Sequence, residues 1–200
     1  MSQQLLIWSV SPSLIQQLET EGVAAFEIFW NADEDFNIED CGIELSEALK
    51  LNAEGISNEG IVADERGTIE IQGRFANFIH WVLTGKEDAS TLYGKTVVEF
   101  MVREEVIGEN SWCLVNALVG SKKVRDAADY VASYLNPEET KNISLALAKI
   151  GSEDFELRCN TLINDVVDIS EVEEFIKSEL IPLYSNASEQ KYGILIAWSI

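Results

Sequence analysis

Apolar residues recur in every stretch of this chain, but their spacing changes from segment to segment, and the spacing predicts the elements. Gln4 to Val10 is an apolar run with β-branched and aromatic members that stops at Ser11-Pro12. It predicts a strand followed by a helix, because a serine side chain can accept from the first helical amides and proline fits the first helical position, where its missing N–H goes unbonded anyway. That helix is predicted to reach about Leu18, and Phe26 to Trp30 is predicted as a second short strand. Glu44 to Leu51 reads as a helix. In Phe75 to Leu83 the apolar residues Phe75, Ile79 and Leu83 are spaced by four, with Phe78 and Val82 beside them. This is a broad apolar helix face that Gly85 can end in a left-handed cap.

Thr96 to Val102 suits a strand or a helix equally by its periodicity. After Asn136 the boundaries are sharper. Asn136-Pro137-Glu138-Glu139 combines a capping residue, a first-position proline and two acids at the positive end of the helix dipole. Ile143, Ala146, Leu147 and Ile150 make the buried stripe that follows. Ser152 with Glu153 and Asp154 opens a short helix, and Ser170 with Glu173 repeats the capping-box pattern ahead of Val172, Phe175, Ile176, Leu180 and Leu183. Pro182 falls inside that last helix, where it removes a hydrogen bond, so a kink or break is predicted near Leu180. Tyr192 to Ser199 is apolar on both alternating faces, as a covered interior strand is. The predicted fold class is α+β with more helix than strand: helices packed around a small mixed sheet that includes the N-terminal and C-terminal strands.

Composition sharpens this picture. At 200 residues and 46% hydrophobic, the chain can bury roughly 70% of the surface its unfolded form exposes. Three prolines, no Gly/Ser tract and no fixed-period repeat predict a single domain over residues 1–200. Met1 to Ser13 has no Lys or Arg, unlike a signal peptide, and no stretch approaches the roughly 20 apolar residues of a membrane-spanning helix. Cys41, Cys113 and Cys159 are far apart and odd in number, which suits reduced thiols and a cytoplasmic location.

Several segments resemble those of the YfbM-like family of bacterial proteins, a domain of unknown function. They are Ser9-Val10-Ser11-Pro12, Ile79-His80-Trp81-Val82-Leu83-Thr84-Gly85, Ala117-Leu118-Val119-Gly120, Tyr134-Leu135-Asn136-Pro137-Glu138-Glu139, and a closing helix followed by an apolar strand. They span nearly the whole chain in the family's order. Where the family tends to carry a Trp-His pair three residues before its second histidine, this chain has Ala76-Asn77, and where it tends to have a double glycine, this chain has Gly120-Ser121. The resemblance implies a compact cytosolic α+β domain with no established activity. If the family's paired histidines perform chemistry, this chain retains only the second, His80.

Charge decides most of the functional reading. The chain has 35 Asp and Glu against 14 Lys and Arg, a formal net charge of −21, and one histidine. A surface this negative repels nucleic acid, anionic lipid and phosphorylated metabolites, and a single histidine supplies little general acid or base chemistry near neutral pH. Lys122, Lys123 and Arg125 form the one basic cluster, too small to hold a duplex against the overall field.

His80, beside Trp81 on the apolar helix, is the first candidate for a pocket, with Tyr130 and Tyr134 as further lining candidates; a core histidine bonded to the backbone is the favoured reading, since no orienting partner is evident. Pairing His80 with Cys113 or Cys159 as a thiolate nucleophile is disfavoured because free cysteine is commonly buried. Asp33, Asp35, Asn37, Glu39 and Glu44 fall on the first, third, fifth, seventh and twelfth positions of a calcium-binding loop, but Ile38 stands where its sharp turn requires glycine, so a solvated acidic loop is expected and no metal or cofactor is. Gly94-Lys95-Thr96 lacks the first glycine of a phosphate loop and follows Glu87 and Asp88. No catalytic residue is assigned, and no constellation of residues names a reaction, so the sequence leans away from an enzyme and leaves the question open. The leading expectation is an interaction module for a basic protein, immunity-protein-like or a charge mimic. A small-molecule-binding domain or minor enzyme with a pocket near His80 is the alternative, and acidity serving solubility alone is the third.

Overall fold

The computed structural model describes residues 4–30, 68–84, 114, 116–127, 130–151 and 169–199. Their elements, in chain order, are β1 (Gln4–Val10), α1 (Pro12–Glu21), α2 (Val23–Trp30), β2 (Thr68–Gln72), α3 (Gly73–Thr84), α4 (Asn116–Val119), β3 (Lys122–Ala127), β4 (Tyr130–Leu135), α5 (Pro137–Leu147), α6 (Ile169–Phe175), a π-helical turn (Ile176–Leu180), α7 (Ile181–Gln190) and β5 (Gly193–Ser199). Helix exceeds strand among these residues, and the α+β class is as predicted. The five strands form one open sheet in the order β2-β1-β5-β4-β3, so the first and last strands are neighbours at its centre. The sheet is not mixed as predicted: all four pairings among the described strands are antiparallel, with β3 and β4 adjacent in the chain and the first strand, β1, running opposite to both of its neighbours, β2 and β5.

Helices cover both faces, and the two-residue alternation of the strands sorts side chains between two cores. On one side Leu5, Ile7, Ile69, Ile71, Val131, Leu135, Ile194, Ile196 and Trp198 meet α3, α4, α5, α6, the π turn and α7. On the other, Val10, Val124, Ala132, Tyr134, Leu195 and Ala197 meet α1 and α2. Coverage on both faces explains why β5 is apolar at every described side chain, all of them buried.

Two helix starts follow the predicted chemistry. The Ser11 hydroxyl accepts from the Leu14 amide at 3.3 Å, with Pro12 in the first turn. At α5 the Asn136 side chain accepts from the Glu139 amide at 2.9 Å while the Glu139 carboxylate accepts from the Asn136 amide at 2.8 Å. The closing strand, predicted over Tyr192 to Ser199, is β5, and α3 brackets the predicted Phe75 to Leu83.

Other predictions are corrected. Helix α1 runs past Leu18 to Glu21 before Gly22, at φ +57°, ends it. Phe26 to Trp30 is not a strand but part of α2. A short apolar run fits either state, and here Phe26 and Trp30, one helical turn apart, place their rings 5.8 Å apart. Ser170 lies inside α6, which already includes Ile169, and so does not cap it. The kink or break predicted near Leu180 takes the form of the π turn over Ile176–Leu180, after which the α-helix resumes at Ile181 without a break in the chain's helical path. The predicted helices at Glu44 to Leu51 and at Ser152, the Thr96 to Val102 segment and Gly85 lie outside the described residues.

Candidate functional site

His80 stands on α3, whose Ala76, Phe78, Ile79, Val82 and Leu83 are all in the larger core. At 2% exposure its imidazole is withheld from solvent. Asn77, one turn earlier, is fully buried and donates from Nδ2 to the Gly73 carbonyl at 2.9 Å. That bond turns the amide back onto its own helix, where it satisfies a polar group that burial would otherwise penalise. Phe75 meets Phe175 edge to face at 5.5 Å, fixing α3 against α6. Trp81 follows His80 on α3.

Tyr134 is on β4 and belongs to the smaller core. The sheet therefore separates it from His80, and the two do not converge. Its ring lies 5.7 Å from Lys122 Nζ, which donates to the Glu19 carboxylate at 2.6 Å and so ties β3 to α1. Burial pushes the Tyr134 hydroxyl up, against a smaller opposing pull from Lys122. The hydrogen bond to Glu19 raises Lys122. Tyr130 opens β4, opposite Ser199 in register. Lys122 and Lys123 are on β3, an outermost strand, where lysine discourages pairing with a foreign strand. Asp33, Asp35, Asn37, Glu39 and Glu44, the three cysteines and Gly94-Lys95-Thr96 lie outside the described residues. Among the described residues no group of three or more His, Cys, Asp or Glu can hold a metal ion.

The sheet also creates a surface that the sequence did not disclose. Antiparallel register sets Leu6 opposite Glu70 and Trp8 opposite Thr68. These residues share the face that carries α1 and α2, yet among the described residues Leu6 belongs to neither core and β2 contributes no residue to the smaller one. Trp8 meets Phe29 at 5.4 Å and Trp30 at 5.7 Å, both nearly perpendicular, and both tryptophans remain partly exposed. Glu70 is exposed and accepts from Gln4 Nε2 at 2.6 Å. Thr68 to Gln72 is a short strand with alternating isoleucines and no motif, so nothing in the local sequence marks Glu70. A shallow groove elsewhere, along α6, is lined by Ser170, Glu173, Glu174, Lys177 and Ser178.

No described helix is long and apolar enough to cross a membrane. The fold is similar to that of a solved structure, the crystal structure of a protein of unknown function, YfbM from Escherichia coli. The likeness covers 98% of this chain and 99% of that one, at a TM-score of 0.50 and 14% sequence identity. No protein-family model and no curated protein matches the chain.

Proposed function

We propose that this protein is an acidic interaction module that captures a basic protein in the cytoplasm, as an immunity protein neutralising a cationic toxin or a mimic of nucleic-acid charge does. The observation that carries this reading is the formal net charge of −21, from 35 acidic against 14 basic residues. Such a field concentrates cationic partners and speeds their association by orders of magnitude. Much of it lies open to solvent: Glu70, Glu138, Glu171, Glu174 and Glu179 are exposed, and the ion pairs seen among the described residues are Glu19 with Lys122 and Glu173 with Lys177. The burial of His80, the sole histidine, supports binding over proton transfer.

The test is affinity capture from the native cell at low salt, followed by reconstitution of the complex from purified components. The expected result is a basic protein whose affinity falls steeply with salt, as the Debye length shrinks from about 8 Å near physiological ionic strength. Capture of nothing at any salt, together with a small-molecule thermal shift abolished by His80→Ala, reverses the reading in favour of a ligand pocket near His80.

A further inference from the structure

The flank of the sheet where β1 pairs with β2 combines three properties that occur together nowhere else among the described residues. It has an apolar floor, Leu6, which is partly exposed and belongs to neither core among the described residues. It has an aromatic wall, Trp8 and then Trp30, held edge to face. It has an exposed carboxylate, Glu70, directly across the strand pair from Leu6, with no cation in ion-pair contact among the described residues.

Resting on the reading that the partner is basic, we propose that this flank is its docking site and receives a lysine or arginine side chain. The alkyl stem of such a residue lies along Leu6, its cationic head reaches the Glu70 carboxylate, and the indole of Trp8 offers an electron-rich face beside it. Arginine suits the place best, because its planar head both forks onto a carboxylate and stacks on an aromatic ring. Tryptophan is also among the residues that most often carry binding energy at protein interfaces. Competing surfaces have the wrong chemistry. Leu145 is 53% exposed on α5, but Lys141 and Lys149, exposed one turn to either side, repel a basic partner. The α6 groove holds the exposed Glu174, but Lys177, paired with Glu173, sets a cation beside it, and no aromatic side chain is among the residues that line it.

The experiment titrates the full chain with a capped deca-arginine peptide at low salt. It compares Glu70→Lys and Glu70→Gln with Glu189→Lys, a control on α7 that changes net charge as much as the first variant. Lysine is at home on an outermost strand, and glutamine preserves the shape of Glu70 should the lysine variant not fold. The expected result is a loss of about tenfold for Glu70→Lys, about threefold for Glu70→Gln and less than about twofold for Glu189→Lys, with amide shifts concentrated at Leu6, Trp8 and Glu70. Equal losses for Glu70→Lys and Glu189→Lys, or shifts centred on other elements, overturn the docking site while leaving the interaction module standing. Failure of the unaltered protein to bind the peptide at low salt removes both.

Discussion

The backbone N–H of Ile181 donates to the carbonyl of Ile176, five residues back, immediately before Pro182. Proline has no N–H to give, and inside an α-helix its ring collides with the carbonyl four residues earlier. Widening the turn over Ile176–Leu180 shifts the bonding to five-residue spacing where that donor is missing. The apolar stripe of Val172, Ile176, Leu180, Leu183 and Tyr184 stays buried through it.

Because the wider turn already accommodates the ring, Pro182→Ala is expected to stabilise by less than about 1 kcal/mol, well short of the roughly 3 kcal/mol that separates proline from alanine in a helix interior. Urea denaturation measures the difference. A gain near the full amount shows that the π turn relieves nothing.

The Glu139 carboxylate closes the capping box of α5 and also accepts from the Ser121 hydroxyl at 2.7 Å, joining the entry to β3 to the start of that helix. Asn136→Ala removes the acceptor for the Glu139 amide and is expected to cost about 1 kcal/mol. Ser121→Ala leaves the box intact and is expected to cost less. Thermal melts of the two variants check the order, and a larger loss at Ser121 places the main role of Glu139 outside the cap.

Gly120 sits between α4 and β3 at φ +68°, and a Cβ there would collide with the Ser133 hydroxyl oxygen and meet the Ser133 Cβ at 2.8 Å. Ser133 cannot retreat without losing its buried bond to the Val119 carbonyl, 2.7 Å away. Gly120→Ala is therefore expected to cost about 3 kcal/mol from backbone strain and overpacking together. The double variant with Ser133→Ala is expected to recover only part of this, since the positive φ and the Cβ of residue 133 remain. Full recovery assigns the whole cost to the hydroxyl.

How far the sequence discloses this molecule depends on the range of the interaction that specifies each part. Ser11-Pro12 and Asn136-Pro137-Glu138-Glu139 bond within one turn, so their boundaries are visible in four residues. Trp30 could not be assigned to a helix so directly, because its state depends on α2 packing across Trp8 of a distant strand. Strand β3, Lys122 to Ala127, reads as a polar segment because an outermost strand needs few apolar residues. The same limit governs the candidate site. The burial of His80 follows from the period of its own helix. Its separation from Tyr134 is set by how β4 pairs with β5, and the meeting of Leu6 with Glu70 is set by register across more than sixty residues of chain.

Lys122 and Tyr134 give an alkaline signature. The bond from Lys122 to Glu19 and the burial of Tyr134 raise both groups above their ordinary values of 10.5 and 10.0. The folded state thus holds protons that the unfolded state has begun to release, so their contribution is complete below pH 10 and fades as pH rises beyond it. Tyr134→Phe, which has no phenol proton, and Lys122→Met, which also loses the ion pair, are each expected to show a shallower decline of the urea midpoint above pH 10 than the unaltered chain. Parallel declines exclude both groups as its source.

His80→Ala separates a core role from a binding role. Removing a ring that is 2% exposed leaves a cavity in the packing of α3, and the expected cost is on the order of 2 to 4 kcal/mol, with the fold retained at low temperature. Peptide binding by the folded variant is expected to stay within about twofold of the unaltered chain, because the imidazole is on the larger-core side of the sheet and the docking flank is on the opposite face. A variant that keeps its stability but loses binding assigns the imidazole to the ligand and moves the site from Leu6, Trp8 and Glu70 to α3.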